Sequence, residues 1–387
     1  MRKFGFLLAS FLVSFSSTQA QDDNSVIFTK SIGFNRSNEF VHALTEHSDG
    51  TIVLAGRTDK TGSNSVFVLK VNPINGDTTK TFSFGAVNAN DISFDIIPSN
   101  NGFLITGETT AYNQNKSEED AFIVELDDQL NWKYYPKNFG SENIESGKKL
   151  FEHNGYFYVG INQTVQDPLT GQKNYYSYII KVDSQGKQIW SQDFSSLGQS
   201  WFGDCLSDKD GNLIILLTTK DNLSGGRQIH YLKMSETGEL LDQKRINTSY
   251  SNGSVSVSAI TLLNDSTIVL TGGYYISWTE QYPLYLQITT DGDLLVEKIF
   301  DFGKKAFGRT IIAMPNNKCL VCGEKGSDGF CLIVNESGDH EAVYYYDYMI
   351  NDALIHSNGD LYTVGDGLIN YPSNTFRNIY LSRTKLK

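Results

Sequence analysis

One short pattern recurs seven times along this chain and constrains its fold more than any other feature of the sequence. In each copy a turn-forming pair, most often Asn-Gly or Asp-Gly, precedes an apolar stretch that ends in glycine in six copies. The copies end at Gly56, Gly107, Gly160, Leu217, Gly272, Gly323 and Gly365, so successive ends are 51, 53, 57, 55, 51 and 42 residues apart. A period of about fifty residues is typical of the four-stranded blades of a β-propeller and exceeds that of most helical repeats.

The remaining strands of each repeat predict how such a ring closes. A second apolar stretch follows the first, as at residues 67–71 and 178–182, and a fourth strand follows that, as at residues 79–84. The seventh repeat has no fourth strand, whereas residues 26–33 have the pattern of one and precede the first complete repeat. We therefore predict an all-β, seven-bladed propeller, a single domain over residues 21–387, in which residues 27–32 pair with residues 379–383.

The first twenty residues have the pattern of an export signal. Arg2 and Lys3 precede an apolar run at residues 4–15, and Thr18, Gln19 and Ala20 form a small-residue cleavage site. This arrangement predicts a secretory signal peptide at residues 1–20 and a secreted or periplasmic protein. No run reaches the ~20 apolar residues of a membrane-spanning helix, so we expect no transmembrane segment.

Charge and motif content disfavour several classes of partner and cofactor. The formal net charge is −12, which repels phosphate backbones, so we expect no nucleic-acid partner, and we expect a monomer. The six histidines show no zinc-binding spacing, and residues 208–212 lack the terminal glutamate of a calcium loop, so we expect no metal site. No serine-esterase or P-loop pattern is present.

One repeat resembles the quinoprotein-like, pyrroloquinoline-quinone-type propeller repeat. In it Asp183 lies in a turn that ends at Gly186, and Trp190 follows four residues later. The resemblance implies an exported bacterial propeller whose blades dock through tryptophan. The other repeats place Lys80, Asp242, Val296 or Ala342 where Trp190 stands, so we expect tryptophan docking to be largely lost. No residue pattern matches a quinone site, and we expect no cofactor.

Candidate ligand residues lie where the innermost strands begin, because in a propeller this region surrounds the mouth of the central channel. Aligning the repeats selects His42, Asp95, Lys148, Trp201, Asp204, Arg309 and Asn351, with Asp91, Glu145, Ser258 and Asp352 as alternatives or neighbours. If the alignment of the second or third repeat is wrong by one residue, a side chain predicted to face the channel would instead face the blade. A mixture of histidine, arginine and carboxylates suits a polar or anionic sugar.

Aromatic residues cluster in the loops after the second strands. They are Tyr274, Tyr275, Trp278 and Tyr282 in the fifth repeat, and Tyr175, Tyr176 and Tyr178 in the third. Such side chains stack on sugar faces, which would suit a glycan-binding surface. Packing between blades is the alternative explanation.

The four cysteines predict a local disulfide. Cys322 and Cys331 flank one hairpin, so we expect Cys322–Cys331 or Cys319–Cys331, with Cys205 free on an inner strand two blades away. The Cys-x-x-Cys pair lies on a strand and not at a helix N-terminus, which argues against redox catalysis.

Two functions remain open from sequence alone. The first is a non-catalytic binding or scaffold propeller with a glycan or protein ligand at the channel face. The second is a polysaccharide lyase or glycoside hydrolase acting on an acidic polysaccharide, with His42 as base and Arg309 neutralising a uronate carboxylate. The two functions differ in one structural requirement. The enzyme needs His42, Arg309 and a carboxylate such as Asp204 or Asp352 to face one cleft.

Overall fold

Seven four-stranded antiparallel sheets form the fold. The computed structural model describes residues 25–34, 37–60, 62–100, 102–111, 118–220, 225–250, 253–370 and 375–386. Each sheet is one blade, and the first strand of every blade contacts the first strands of the blades on either side, so the seven inner strands surround a central channel. The predicted seven-bladed propeller is confirmed.

The blades follow chain order, each from its inner to its outer strand. Blade 1 contains β2 (Glu39–Glu46), β3 (Ile52–Thr58), β4 (Ser65–Val71) and β5 (Thr78–Phe84). Blade 2 contains β6 (Asp91–Ser99), β7 (Gly102–Thr109), β8 (Asp120–Asp127) and β9 (Trp132–Phe139). Blade 3 contains β10 (Ile144–His153), β11 (Tyr156–Gln166), β12 (Lys173–Val182) and β13 (Gln188–Asp193), after which a 3₁₀ helix covers Ser195–Leu197. Blade 4 contains β14 (Ser200–Ser207), β15 (Leu213–Lys220), β16 (Arg227–Met234) and β17 (Leu240–Ile246).

The last three blades complete the ring. Blade 5 contains β18 (Ser254–Asn264), β19 (Thr267–Ser277), β20 (Glu280–Thr289) and β21 (Leu294–Ile299). Blade 6 contains β22 (Ala306–Met314), β23 (Lys318–Lys325), β24 (Asp328–Val334) and β25 (His340–Tyr346). Blade 7 contains β26 (Met349–Ile355), β27 (Asp360–Asn370), β28 (Thr375–Lys385) and, from the other end of the chain, β1 (Val26–Ile32).

The pairing of β1 with β28 closes the ring as predicted. Ile32 lies opposite Ile379, and Thr29 lies opposite Ser382 with the two hydroxyl oxygens 2.8 Å apart. Blade 7 therefore has the same four strands as every other blade. The pairing removes the sheet edge that an incomplete last blade would expose.

The core lies between adjacent blades. Between blades 7 and 1, for example, Leu54 and Leu69 are fully buried in one cluster with Val364 and Leu381. The second and third strands are buried on both faces, which explains why they appear in the sequence as continuous apolar stretches and not as alternating ones.

Neighbouring blades are also joined at their outer strands. The indole N–H of Trp190 in β13 donates to the carbonyl oxygen of Glu236 in blade 4 at 3.2 Å. Its ring covers Gly238, which has φ of 89° and where an added Cβ would lie 3.2 Å from the indole. Lysine–aspartate pairs join three other blade junctions: Lys30–Asp77 at 2.9 Å, Lys244–Asp293 at 3.1 Å and Lys298–Asp339 at 2.8 Å.

A disulfide joins two neighbouring strands of blade 6. Cys322 in β23 lies opposite Cys331 in β24, their Cα atoms are 4.1 Å apart, and the two sulfurs are bonded. Cys205 and Cys319 are free and buried. The oxidation state of the protein recovered from its own compartment stays a prediction, for which thiol counting is the measurement.

The predicted signal peptide at residues 1–20 lies outside the described residues. Within those residues, no helix has the length and apolar character needed to cross a membrane.

Candidate functional site

A β-bulge occurs at the same place in all seven inner strands. In each one the pairing with the second strand skips a single residue: His42, Phe94, Lys148, Gly203, Ser258, Arg309 and Asn351. In a bulge two residues lie opposite one residue of the partner strand, which locally breaks the alternation of side chains between the two faces. We call the seven skipped residues the mouth ring and the seven residues that follow them, among them Asp95, Lys149, Asp204 and Asp352, the deep ring.

Two of the predicted ligand residues, His42 and Lys148, lie in the mouth ring, and both contact Phe94, which the repeat alignment did not select. The ring of Phe94 lies between them: its centroid is 5.3 Å from that of His42 and 3.3 Å from the Lys148 ammonium. Within the described residues the Nε2 atom of His42 is buried and has no hydrogen-bond partner. Arg57 on β3 lies opposite Phe40 on β2, and its guanidinium is 4.1 Å from the centre of the Phe40 ring.

Positive charge dominates the surroundings of His42. Burial, together with the charges of Arg57, Lys148 and Arg309, lowers the pKa of His42 to about 3. Burial lowers the pKa of Lys148 to about 8, although the nearby Glu108 opposes that shift. His42 is therefore a neutral imidazole at neutral pH, facing cations from blades 1, 3 and 6.

Arg309 and Asn351 already have partners in the structure. The Arg309 guanidinium donates to Glu324 in its own blade through Nη2 at 3.0 Å and Nε at 3.3 Å. The Asn351 amide donates to the carbonyl oxygen of Val41 at 2.8 Å and to Asp366 at 2.7 Å. Asn351 thus joins blade 7 to blade 1, whereas Arg309 remains at the exposed rim.

Asp95 and Asp204 lie in the deep ring, where their carboxylates join adjacent blades. Together with Asp352, each accepts the backbone N–H of the next residue in its own strand. Each also accepts a backbone N–H from the following blade, at Leu150, Ile260 and Leu44 and at 2.8, 3.0 and 3.0 Å, respectively. These two predicted ligand residues therefore make structural contacts below the mouth.

Lys149 is the deep-ring residue of blade 3 and faces the same three carboxylates. Burial alone would lower its pKa, but Asp204, Asp95 and Asp352 together raise it. Burial raises the pKa of Asp95 to about 6, against the opposing effect of Lys149, and also raises the pKa of Asp204 and of Asp352. The deep ring thus sets one lysine against three carboxylates, and the repeat alignment did not select this lysine.

The alternatives Asp91 and Glu145 lie away from the channel. Both side chains are buried at the beginning of their strands: Asp91 accepts the Thr109 hydroxyl, and Glu145 accepts the amide of Gln163 at 2.8 Å. Among the described residues, no group of three or more histidine, cysteine, aspartate or glutamate side chains is arranged to hold a metal ion.

Trp201 lies two residues before the mouth ring and lines a cleft of about 620 Å³ across blades 3, 4 and 5. Its ring is 5.4 Å from that of Tyr175, and the Arg227 guanidinium lies 4.7 Å from the Trp201 ring and 5.9 Å from that of Tyr275. Trp278, at the tip of the β19–β20 hairpin, is 91% exposed and lines the same cleft. We call this the aromatic cleft.

The aromatic residues predicted for glycan contact therefore divide into two groups. Tyr175, Tyr275 and Trp278 line the aromatic cleft. Tyr274 is buried in the core, Tyr178 packs against an inter-blade cluster, and Tyr282 donates its hydroxyl to Glu280 at 3.0 Å. Arg227 is the first residue of β16, the third strand of blade 4. No sequence motif indicated that its side chain would line the cleft.

Comparisons with known proteins extend the description of the fold and leave function open. No family model matches the sequence, and no curated protein matches it. The CNH domain of AfRom2 superposes with a TM-score of 0.52 at 10% identity, covering 94% of this chain and 98% of that chain. A PL25 ulvan lyase gives 0.49 at 12% identity, covering 79% and 78%, and a Bacteroides caccae protein of unknown function gives 0.43 at 13%, covering 64% and 79%. Similarity at these identities shows the propeller fold alone.

Proposed function

We propose that this chain is an exported, non-catalytic binding propeller that holds a glycan on its channel-mouth face. The observation that carries the proposal is the aromatic cleft, which Tyr175, Trp201, Tyr275 and Trp278 line together with Arg227, whose guanidinium lies 4.7 Å from the Trp201 ring. Tyrosine and tryptophan faces stack on the apolar faces of sugar rings, while a guanidinium serves hydroxyl or acidic groups. A cleft of about 620 Å³ is within the range of small-ligand sites.

The exposure of Trp278 supports a role in binding. Its side chain is 91% exposed at a hairpin tip, so it contributes little to the core of the ring. An exposed tryptophan beside an aromatic cleft is typical of an interaction surface. The pocket on the other face of the ring, about 510 Å³, is less suitable because its buried carboxylate Glu125 already accepts from Lys133 at 2.6 Å and from Ser99 at 2.7 Å.

The location and assembly that we propose accord with a glycan ligand. The signal pattern at residues 1–20 would export the protein to the periplasm or beyond, where polysaccharides are encountered. We propose that it acts there as a monomer, without a metal or organic cofactor. The sugar would contact the mouth face, and the acidic outer surface would keep the protein apart from nucleic acids.

Calorimetric titration of the whole protein with neutral and acidic oligosaccharides tests this proposal. We expect saturable binding of at least one oligosaccharide, and we expect W278A to weaken it about tenfold because one stacking contact is lost. Leu169→Ala is the matched control, since Leu169 is 95% exposed outside the aromatic cleft. Absence of binding across the panel, or equal affinity of W278A and the wild type, would contradict the proposal.

A lyase or hydrolase acting on an acidic polysaccharide is the second candidate function. Its support is His42, a neutral imidazole near three cations. Among the described residues its Nε2 atom has no hydrogen-bond partner, as a base that takes a proton from an acidic sugar would require. Asp204 and Asp352 oppose it, because both carboxylates are bonded to backbone N–H groups in the deep ring. For a binding propeller we expect uronate polysaccharides to show no rise in ultraviolet absorbance from unsaturated products and no new reducing ends. A rise that His42→Ala abolishes would replace the binding proposal with the lyase.

A further inference from the structure

Two cations at the mouth lie over aromatic rings, and one of them, Arg57, also donates to the side-chain oxygen of Asn64 at 3.0 Å. The Arg57 guanidinium lies 4.1 Å above Phe40, and the Lys148 ammonium lies 3.3 Å from the centre of Phe94. Among the described residues, neither cation forms an ion pair with a carboxylate. A ring face positions a cation without neutralising its charge. Both side chains therefore remain able to attract an anion.

The acidic groups around the mouth are mostly engaged elsewhere. Glu324 pairs with Arg309, and Asp366 pairs with Arg377. Glu108 faces both Arg57 and Lys148 and accepts the Ser146 hydroxyl. Asp59 lies near Arg57 and accepts from the backbone and amide of Asn38, each at 2.7 Å. Arg57 and Lys148 are thus left with one shared carboxylate, Glu108, in a protein whose net charge is −12.

The imidazole of His42 interacts with the charges of both cations, and among the described residues its Nε2 atom has no hydrogen-bond partner. Its Nε2 atom is buried without a hydrogen bond, which costs free energy unless a ligand or water supplies one. The neutral imidazole still has one N–H, and with that proton on Nε2 it would donate a hydrogen bond to an oxyanion, which the neighbouring positive charges would also attract.

We propose that His42, Arg57 and Lys148 form an oxyanion subsite at the channel mouth that takes a carboxylate or sulfate group of a sugar. This inference rests on the proposed glycan-binding function and deepens it, because it makes the ligand an acidic saccharide. Lys148 and Trp201 belong to adjacent blades, so one ligand can place its charged group at the mouth and its sugar rings in the aromatic cleft.

Histidine ring NMR signals of the whole protein test the subsite directly. His42 is one of six histidines, and the loss of its signal in His42→Asn assigns it. Titration with sodium glucuronate or sodium sulfate, against sodium chloride at equal ionic strength, is expected to move the His42 signal and leave the other five in place. A response to glucuronate alone assigns a uronate, and a response to sulfate alone assigns a sulfate ester. If neither anion moves the His42 signal, the subsite does not exist.

Variants separate this inference from the proposed function. We expect Lys148→Met to weaken the anion response about tenfold, as loss of one charge-assisted contact would, while the exposed-lysine control Lys298→Met leaves it unchanged. An equal response in Lys148→Met and wild type overturns the subsite even if oligosaccharides bind through Trp278. A Lys148-dependent response together with no oligosaccharide binding supports the subsite and refutes the proposed glycan function.

Discussion

At the scale of single residues, one extra residue in each inner strand determines what reaches the channel. The repeat alignment placed His42, Lys148, Arg309 and Asn351 at the bulge, because the spacing to the following turn pair is nearly constant. It placed Trp201 two residues before the bulge and Asp95 and Asp204 one residue after it. Strict alternation cannot distinguish these positions, since a bulge has no sequence signature of its own. Phe94 and Lys149 were missed for the same reason.

The neutral state of His42 predicts a pH dependence of stability. The pKa of His42 is about 3 in the folded protein, whereas the ordinary value for histidine is 6.5. Between these two pH values the unfolded chain binds a proton that the folded protein does not bind. Stability is therefore lost as pH falls from 6.5 toward 3, by up to about 1.4 kcal/mol per pH unit. Denaturant unfolding at several pH values should show wild type losing stability relative to His42→Gln over this range. Parallel pH profiles would contradict a buried neutral imidazole.

The deep ring predicts an effect of Lys149 that depends on charge. Lys149→Met leaves Asp95, Asp204 and Asp352 without their facing cation, so we expect the free energy of unfolding at neutral pH to fall by roughly 3 kcal/mol. The loss should shrink as pH falls below about 6, where Asp95 becomes protonated. Urea denaturation at both pH values measures the difference. A loss of equal size at both pH values would show that Lys149 acts only through packing of its alkyl chain.

At the scale of strands and junctions, the sequence predicted the elements well and their connections only partly. Turn pairs and apolar stretches depend on neighbouring residues, so the strand order and the closing strand followed from the pattern. The lysine–aspartate pairs between outer strands were not predicted, because Lys30 and Asp77 are 47 residues apart and each is unremarkable in its own repeat. They occur at junctions that lack the tryptophan docking seen at Trp190.

The two kinds of junction should contribute differently to stability. Trp190 covers a turn of the next blade and donates to Glu236, so we expect Trp190→Ala to cost about 2 to 3 kcal/mol in free energy of unfolding. Lys298→Ala removes an exposed ion pair and should cost less than about 1 kcal/mol. Chemical denaturation of both variants gives the comparison. Equal losses would mean that ion pairs fully replace the tryptophan at these junctions.

At the scale of the whole molecule, closure of the ring was predictable from sequence, and the way residues of three blades combine into the aromatic cleft was not. One strand was left over at the start of the repeat series and one was missing at its end, so only one pairing completed the ring. The aromatic cleft instead combines residues from three blades, from Tyr175 to Trp278, and their proximity depends on hairpin lengths and on the rotation between blades. A sequence pattern repeated in every blade contains no information about features that differ between blades.

The placement of tryptophans gives the most direct test of binding at the mouth. Trp132 and Trp190 lie in the outer strands β9 and β13, whereas Trp201 and Trp278 lie at the aromatic cleft. The variant Trp132→Phe/Trp190→Phe keeps the cleft tryptophans, and Trp201→Phe/Trp278→Phe keeps those of the outer strands. In a fluorescence titration with an acidic oligosaccharide, the account predicts a saturable change in the first variant and none in the second. A silent first variant with a change in the second would place the ligand away from the channel mouth and contradict the account.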